Sequence, residues 1–377
     1  MSIEELPRLP LPLEELPREI HRFAKPDAPP AARMMAARGA VLIGGALQIA
    51  LLVQLAHADE EELRATALNT LGSVPEALLR DAFGSELPPS ILDFLAAHFA
   101  DRTEFLEPLI ANPALADATA LRIAKTGPSA VIERLALNQA RLLRAPEIIE
   151  ALYKNKNLRM STADRLIEFA ARNELDLSGI PAYRAHVEAL KGQLIPEPLD
   201  DEELPGDAIF REALEADSEE ATVAKETEDG EEELIERFVP LAFKIRDMSL
   251  AEKLRLALIG DAAARALLVR DPNRLVAQAA ISSPSMREDE ALTIASSREV
   301  SEDILRYIGN KREWLRGYEI KKALVFNPKT PVGISLRFLP HLRANDLKTL
   351  ARSRGIPGPL KTAARQRIED QAKGKRR

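Results

Sequence analysis

The sequence predicts an all-α protein, an α-solenoid of short stacked helices in two arrays joined by an acidic linker, and three observations predict it. The chain is 46% hydrophobic but only 4% aromatic, with 29% charged residues, and its apolar share is mostly Leu and Ala, the balance of a helix-forming sequence. Apolar residues fall at helical spacing, as at Leu166, Ile167, Phe169 and Ala170, at Leu292, Ile294 and Ala295, and at Ile334, Leu336, Phe338 and Leu339. Sustained strand alternation is missing. Helix-start signals recur throughout: Ser73 to Glu76, Ser249 to Glu252 and Ser285 to Glu288 have the spacing of a reciprocal capping box, and Thr330-Pro331 places a hydroxyl at an N-cap with Pro at the first helical position. Each short helix buries one stripe and cannot fold alone, so a row of them joined by brief turns must stack neighbour on neighbour. With 377 residues at roughly 100 to 200 per domain, two or three units or one array are accommodated, with ample apolar material for a core.

The first 30 residues hold seven Pro and no basic start before an apolar run, which is not a signal peptide. Repeated X-Pro steps favour extended polyproline II, so Pro7 to Pro17 is expected to lie along a groove, with the protein's own surface favoured over a partner's. The uncharged stretch Gly39 to Ala56 raises the question of a membrane span. Gln48, Gln54, Gly44 and Gly45, and the acidic helix that follows from Asp59, favour instead the buried first helix of an array, so no span is expected. The first helical-repeat domain is placed at 31–192, punctuated by Pro89, Asn112-Pro113, Gly127-Pro128 and Ala145-Pro146.

The formal net charge of −7 conceals a segregation. Between Ile195 and Glu236 there are 18 acidic residues and two basic ones, a net of −16; from Lys311 to Arg377 there are 18 basic and five acidic, a net of +13. An acidic run with so little apolar surface cannot offset its chain entropy, so 193–232 is expected to be a disordered linker, in which Ala208 to Leu214 forms a helical turn or a docking motif. A second helical-repeat domain with a basic face, 233–372, and a basic tail, 373–377, complete the chain. Pro240 is expected to kink or break the helix after the linker.

Chemistry is conspicuously unrepresented. The chain has no Cys, which excludes disulfides, thiolate metal sites and cysteine nucleophiles and fits a reducing, cytoplasmic setting. The five His, at positions 21, 57, 98, 186 and 341, form no ligand pair, and neither a phosphate loop nor a Gly-x-Ser-x-Gly elbow occurs. A non-enzyme is expected, with no catalytic, cofactor or metal residues.

Two segments carry a family resemblance. His57-Ala-Asp-Glu-Glu-Glu-Leu-Arg64 with Ala67 and Leu71, and Arg270-Asp-Pro-Asn-Arg-Leu-Val276 with Ala280, resemble the turn and inner helix of HEAT-like repeats, and Asn327-Pro-Lys-Thr-Pro331 is similar to the leucine-rich-repeat-variant family. The starts at Pro75, Pro89, Pro113, Pro128 and Pro146 follow no fixed period. The resemblance implies binding along an extended surface, usually without chemistry.

The leading expectation is therefore a scaffold or adaptor that binds a protein partner. The alternative is a nucleic-acid binder using Arg312, Trp314, Arg316, Lys321, Lys322, Arg352, Arg354, Lys361 and Arg365. Cations interleaved with Trp314 and Tyr318 suit phosphates and bases, although an i, i+4 aromatic pair is as well explained by core packing. Asp346 to Ile356 with Lys361, Arg367 and Ile368 is similar to the SAP-type helix-turn-helix that binds DNA. The acidic linker, tethered at an effective concentration on the order of millimolar, is expected to compete for that basic surface.

Overall fold

The computed structural model describes residues 6–181, 183–191, 204–216, 218–226, 232–353 and 355–374. Among these the chain is all-helical, with 24 α-helices and one antiparallel hairpin, Ala224–Glu226 with Glu232–Leu234, in the register Ala224 to Leu234. It divides into two compact units, Met1–Gly179 and Ile180–Arg377.

In the first unit the helix Gly45–Leu55 is the most buried: every side chain from Ile49 to Leu55 is shielded, as the uncharged run requires. No helix among the described residues is long and apolar enough to cross a membrane. The Pro-rich start lies on this helix. Gln54 is buried and holds Leu11 by two backbone hydrogen bonds, of 2.9 and 2.7 Å, and Leu11, Leu16 and Ile20 enter the core. The segment is not uniformly extended: short helical turns at Leu13–Glu15, Arg18–Ile20 and His21–Ala24 follow Leu11, the first capped by Leu16 and the second ending in Ile20.

Helices in both units pack on the next helix but one. Glu76–Gly84 packs on Thr103–Ala111, which packs on Ser129–Ala136; Leu250–Ile259 packs on Arg274–Ile281, which packs on Glu302–Ile308. Buried Asn residues pin these layers. Asn112, Asn155 and Asn327 each end a helix in extended conformation. Each Nδ2 donates to two carbonyls at the end of an earlier helix, 27 to 32 residues back: Phe83 and Ser85, Ala124 and Gly127, Ala295 and Ser297. Each Oδ1 accepts the amide two residues on. Last-turn carbonyls have no intrahelical donor, and one side chain satisfies two of them at the end of the earlier helix.

Several expectations are corrected. The division falls at 179/180, because the helix Tyr183–Leu190 packs on Leu250–Ile259 of the second unit. Much of the stretch expected to be a disordered linker is folded: the helix Pro205–Glu215 buries Phe210 and Ala213, and the fully buried Arg255 lies 5.0 Å from the Phe210 ring. Its acidic residues find cations within their own unit, which composition does not reveal. Gly192–Glu203, Asp217 and Thr227–Glu231 lie outside the described residues. Pro240 breaks nothing, since it sits in the first turn of Val239–Asp247 where its missing donor is harmless. Of the three capping boxes only Ser249–Glu252 forms. Ser73 closes the preceding helix, Arg287 precedes the helix expected after Ser285, and Pro331 occupies the N-cap place given to Thr330.

The charged pair Arg265–Glu290 is buried and bidentate at 2.7 and 2.9 Å. Glu290→Ala leaves a buried guanidinium unpaired and is expected to lower unfolding stability by about 3 to 5 kcal/mol, whereas Glu302→Ala, which breaks the exposed Arg306 pair, changes it by about 0 to 1 kcal/mol, both read by urea denaturation. Asn327→Ala orphans two carbonyls and is expected to cost about 1 to 3 kcal/mol by the same measurement; a change below about 0.5 kcal/mol would show the pin is dispensable.

Candidate functional site

Three concavities and one basic surface are candidates. The first concavity, of about 360 Å³, lies in the second unit between the hairpin (Ala224, Glu232, Leu234) and the helix Val239–Asp247 (Ala242, Ile245, Arg246), with Leu267, Arg270 and Asp271 beneath. Its charges are largely consumed internally. Lys253 pairs with Asp271 at 3.1 Å. Glu232 accepts from the Ser297 hydroxyl at 2.9 Å, the Arg298 amide at 2.6 Å and Arg270 at 3.2 Å. Burial pushes the Glu232 carboxyl up, but those hydrogen bonds outweigh it and hold it below the ordinary glutamate value. The network clips the hairpin onto the helices, and its balanced charge leaves little for a ligand.

The other two concavities occupy matching places, one in each unit. In the first unit a cleft of about 470 Å³ is lined by Glu107, Pro108, Ile110 and Ala111 on the helix Thr103–Ala111 and by Arg134, Leu137 and Asn138 at the end of Ser129–Ala136. In the second, a cleft of about 340 Å³ is lined by Arg274 and Gln278 on Arg274–Ile281 and by Asp303, Arg306, Tyr307, Asn310 and Lys311 on and after Glu302–Ile308. Both lie between a helix and the next but one, and both end at an Asn just past the later helix. Leu137 is 57% exposed.

The structure spreads the residues proposed for nucleic-acid binding over three helical segments and a turn. Trp314 is only 7% exposed and packs edge-on against Tyr307, 6.0 Å between centroids, so it offers no face to a base. Tyr318 is also committed: its hydroxyl donates to Asp346 and accepts the Arg343 amide at 3.0 Å, and the Arg343 guanidinium covers its ring at 4.3 Å. The Tyr318 hydrogen bond, and after it Lys322, hold the Asp346 carboxyl below its ordinary value against the effect of burial. Lys322 is thereby paired, at 3.0 Å. Arg312, Arg316, Arg352 and Arg365 are exposed and Lys321 and Lys361 half-buried. Arg354 and 375–377 of the basic tail lie outside the described residues. The helices Ala344–Arg352 and Gly358–Gly374 pack on each other, and Ala364 is fully buried.

Four described residues of the acidic stretch spend their charge elsewhere than on this end. Glu212 pairs with Lys244, Glu219 with Arg287, Glu220 with Arg237 and Glu232 with Arg270, all partners that precede Lys311. Competition with the basic end therefore does not describe these acidic residues. Sequence reasoning placed Arg274 only within the HEAT-like segment Arg270 to Val276 and missed Arg306 and Tyr307, because the three meet only when two helices about 30 residues apart in the chain pack together. Among the described residues no group of three or more His, Asp or Glu is placed to hold a metal. No family model, curated protein or solved structure matches the chain.

The depressed Glu232 carboxyl predicts a pH dependence. An unfolded glutamate titrates near about 4.3, so the clip's stabilisation is complete above that pH and is lost as pH falls through the lower folded value. Hairpin amide exchange, corrected for intrinsic rates, is expected to accelerate in that window in the native chain and to be pH-flat in Glu232→Gln. A flat native profile would show that the carboxylate does not hold the hairpin.

Proposed function

We propose that the chain is a non-catalytic scaffold, built as α-solenoid arrays of short helices, whose surface clefts receive segments of a protein partner. The observation that carries this is the recurrence of one cleft type in both units, each between a helix and its next-but-one neighbour. A stacked array repeats its surface as it repeats its core, and peptide-binding surfaces of arrays arise in that way. Each cleft combines apolar or aromatic surface with amide and guanidinium groups, Leu137 with Asn138 and Arg134 in one, Tyr307 with Asn310 and Arg306 in the other, a mixture suited to a peptide.

A second reading, nucleic-acid binding by the last two helices, is favoured by Arg352 and Arg365, which are exposed and without ion pairs among the described residues. It loses the stacking platform that Trp314 would have supplied, because that ring is inside.

A photoreactive amino acid at Leu137 or Tyr307 tests the scaffold reading, with Leu42, fully exposed, as the control position. Protein adducts at the two cleft positions that exceed the Leu42 background and survive nuclease treatment are expected. Adducts no stronger than at Leu42 sink the reading, and adducts abolished by nuclease transfer it to nucleic acid.

A further inference from the structure

The two matching clefts differ in charge, and the difference assigns a partner chemistry to the second. The cleft of the first unit is lined by one cation, Arg134, and one carboxylate, Glu107. That of the second is lined by three cations, Arg274, Arg306 and Lys311, against the single carboxylate Asp303. Resting on the scaffold reading, we propose that the cleft between the helices Arg274–Ile281 and Glu302–Ile308 binds an acidic peptide segment of a protein partner.

Its cations are available. The Arg274 side chain is 81% exposed and held by one contact, 3.0 Å to Asp303; Arg306 is paired with Glu302 one turn away on its own helix, both more than half exposed. Exposed pairs of this kind are worth about 0 to 1 kcal/mol, so an incoming carboxylate exchanges one weak partner for another at little loss. A guanidinium fork donates bidentately to a carboxylate, which is stronger than a single-contact pair. Lys311 stands 5.6 Å from the centroid of Trp314 and 3.8 Å from the exposed Glu313 carboxylate, a long and weak pair, and Tyr307 is braced edge-on by the same Trp314 ring, so an aromatic wall and a cation line the cleft together. Gln278 and Asn310 supply amide donors and acceptors that match peptide groups.

The same layout disfavours a nucleic-acid strand. Glu302 and Asp303 stand among the cations, and a continuous row of phosphates must pass them, whereas a peptide sets its carboxylates at intervals and places neutral residues between. A volume near 340 Å³ is at the small end for ligand clefts and suits a few side chains.

The test uses the full chain and, as probe, a fluorescein-labelled peptide of alternating glutamate and alanine, followed by anisotropy at low ionic strength, beside an oligothymidylate of similar length. The native chain is expected to bind the peptide more tightly than the oligothymidylate. Reversal of both cleft arginines (Arg274→Glu with Arg306→Glu) is expected to weaken peptide binding by about tenfold or more, and the milder Arg306→Gln by about threefold, with unchanged thermal melting. Reversal of two exposed arginines of the first unit (Arg38→Glu with Arg80→Glu) changes net charge equally and is expected to leave binding within about twofold. Absence of peptide binding, equal weakening by both double reversals, or tighter binding of the oligothymidylate overturns the proposal. If Leu137 and Tyr307 still give nuclease-resistant adducts in that case, the scaffold reading stands and only the acidic partner class falls.

Discussion

Short helices leave a large share of their backbone unsatisfied, and the structure depends on how those groups are paired. Each helix end presents carbonyls with no donor within the helix, and a chain of many brief helices multiplies such ends. Asn112, Asn155 and Asn327 answer the problem with one device. Each stops its own helix and donates twice to the end of an earlier one. For Asn112 and Asn327 the earlier helix is the next but one back, and for Asn155 it is the third back, Asp117–Thr126. The apolar stripes of Leu, Ile and Ala then close over these polar crosslinks. The clefts are the outer counterpart of this arrangement, opening where a helix and its next-but-one neighbour diverge at the surface.

Charge is used in two ways within this frame. Some pairs are interior and structural, such as Arg265 with Glu290 and Arg270 with Glu232, where loss of one member strands the other in a poor solvent for ions. Of the described acidic stretch only Glu232 belongs to this class, and the pairs of Glu212, Glu219 and Glu220 lie at the exposed surface. A region with the composition of a linker is therefore partly folded by the buried Glu232–Arg270 pair and by Phe210 against Arg255. Other pairs are exposed and weak, and these line the cleft that carries Arg274 and Arg306. The distinction between spent and available charge separates the hairpin cavity, whose cations and carboxylates are balanced, from the cationic cleft.

The helical class, the buried helix Gly45–Leu55 and the burial of the Pro-rich start on the protein's own surface were all legible in residue type and spacing. Gln54 illustrates the limit. It argued against a membrane span as a polar residue in an apolar run, but its role as the clamp on Leu11 depends on a chain segment 43 residues away. Asn112-Pro113 was read as punctuation and Asn327-Pro328 as part of a family resemblance, Asn155 was not singled out, and their common role shows only when the carbonyls they reach are known. Trp314, suspected of core packing, is buried, but Tyr318 is only half-buried and begins a separate helix, and the ring that meets Trp314 is Tyr307.

Local pattern thus determined that this chain forms helices, roughly where they begin, and which stripe of each is apolar, because those properties depend on neighbours within a few residues. Tertiary structure alone decided the boundary after Gly179, the folding of the acidic stretch, and the meeting of Arg274 with Arg306 and Tyr307. These are relations between residues distant in the chain, and helical periodicity, which repeats at every turn, carries no record of which turn faces which.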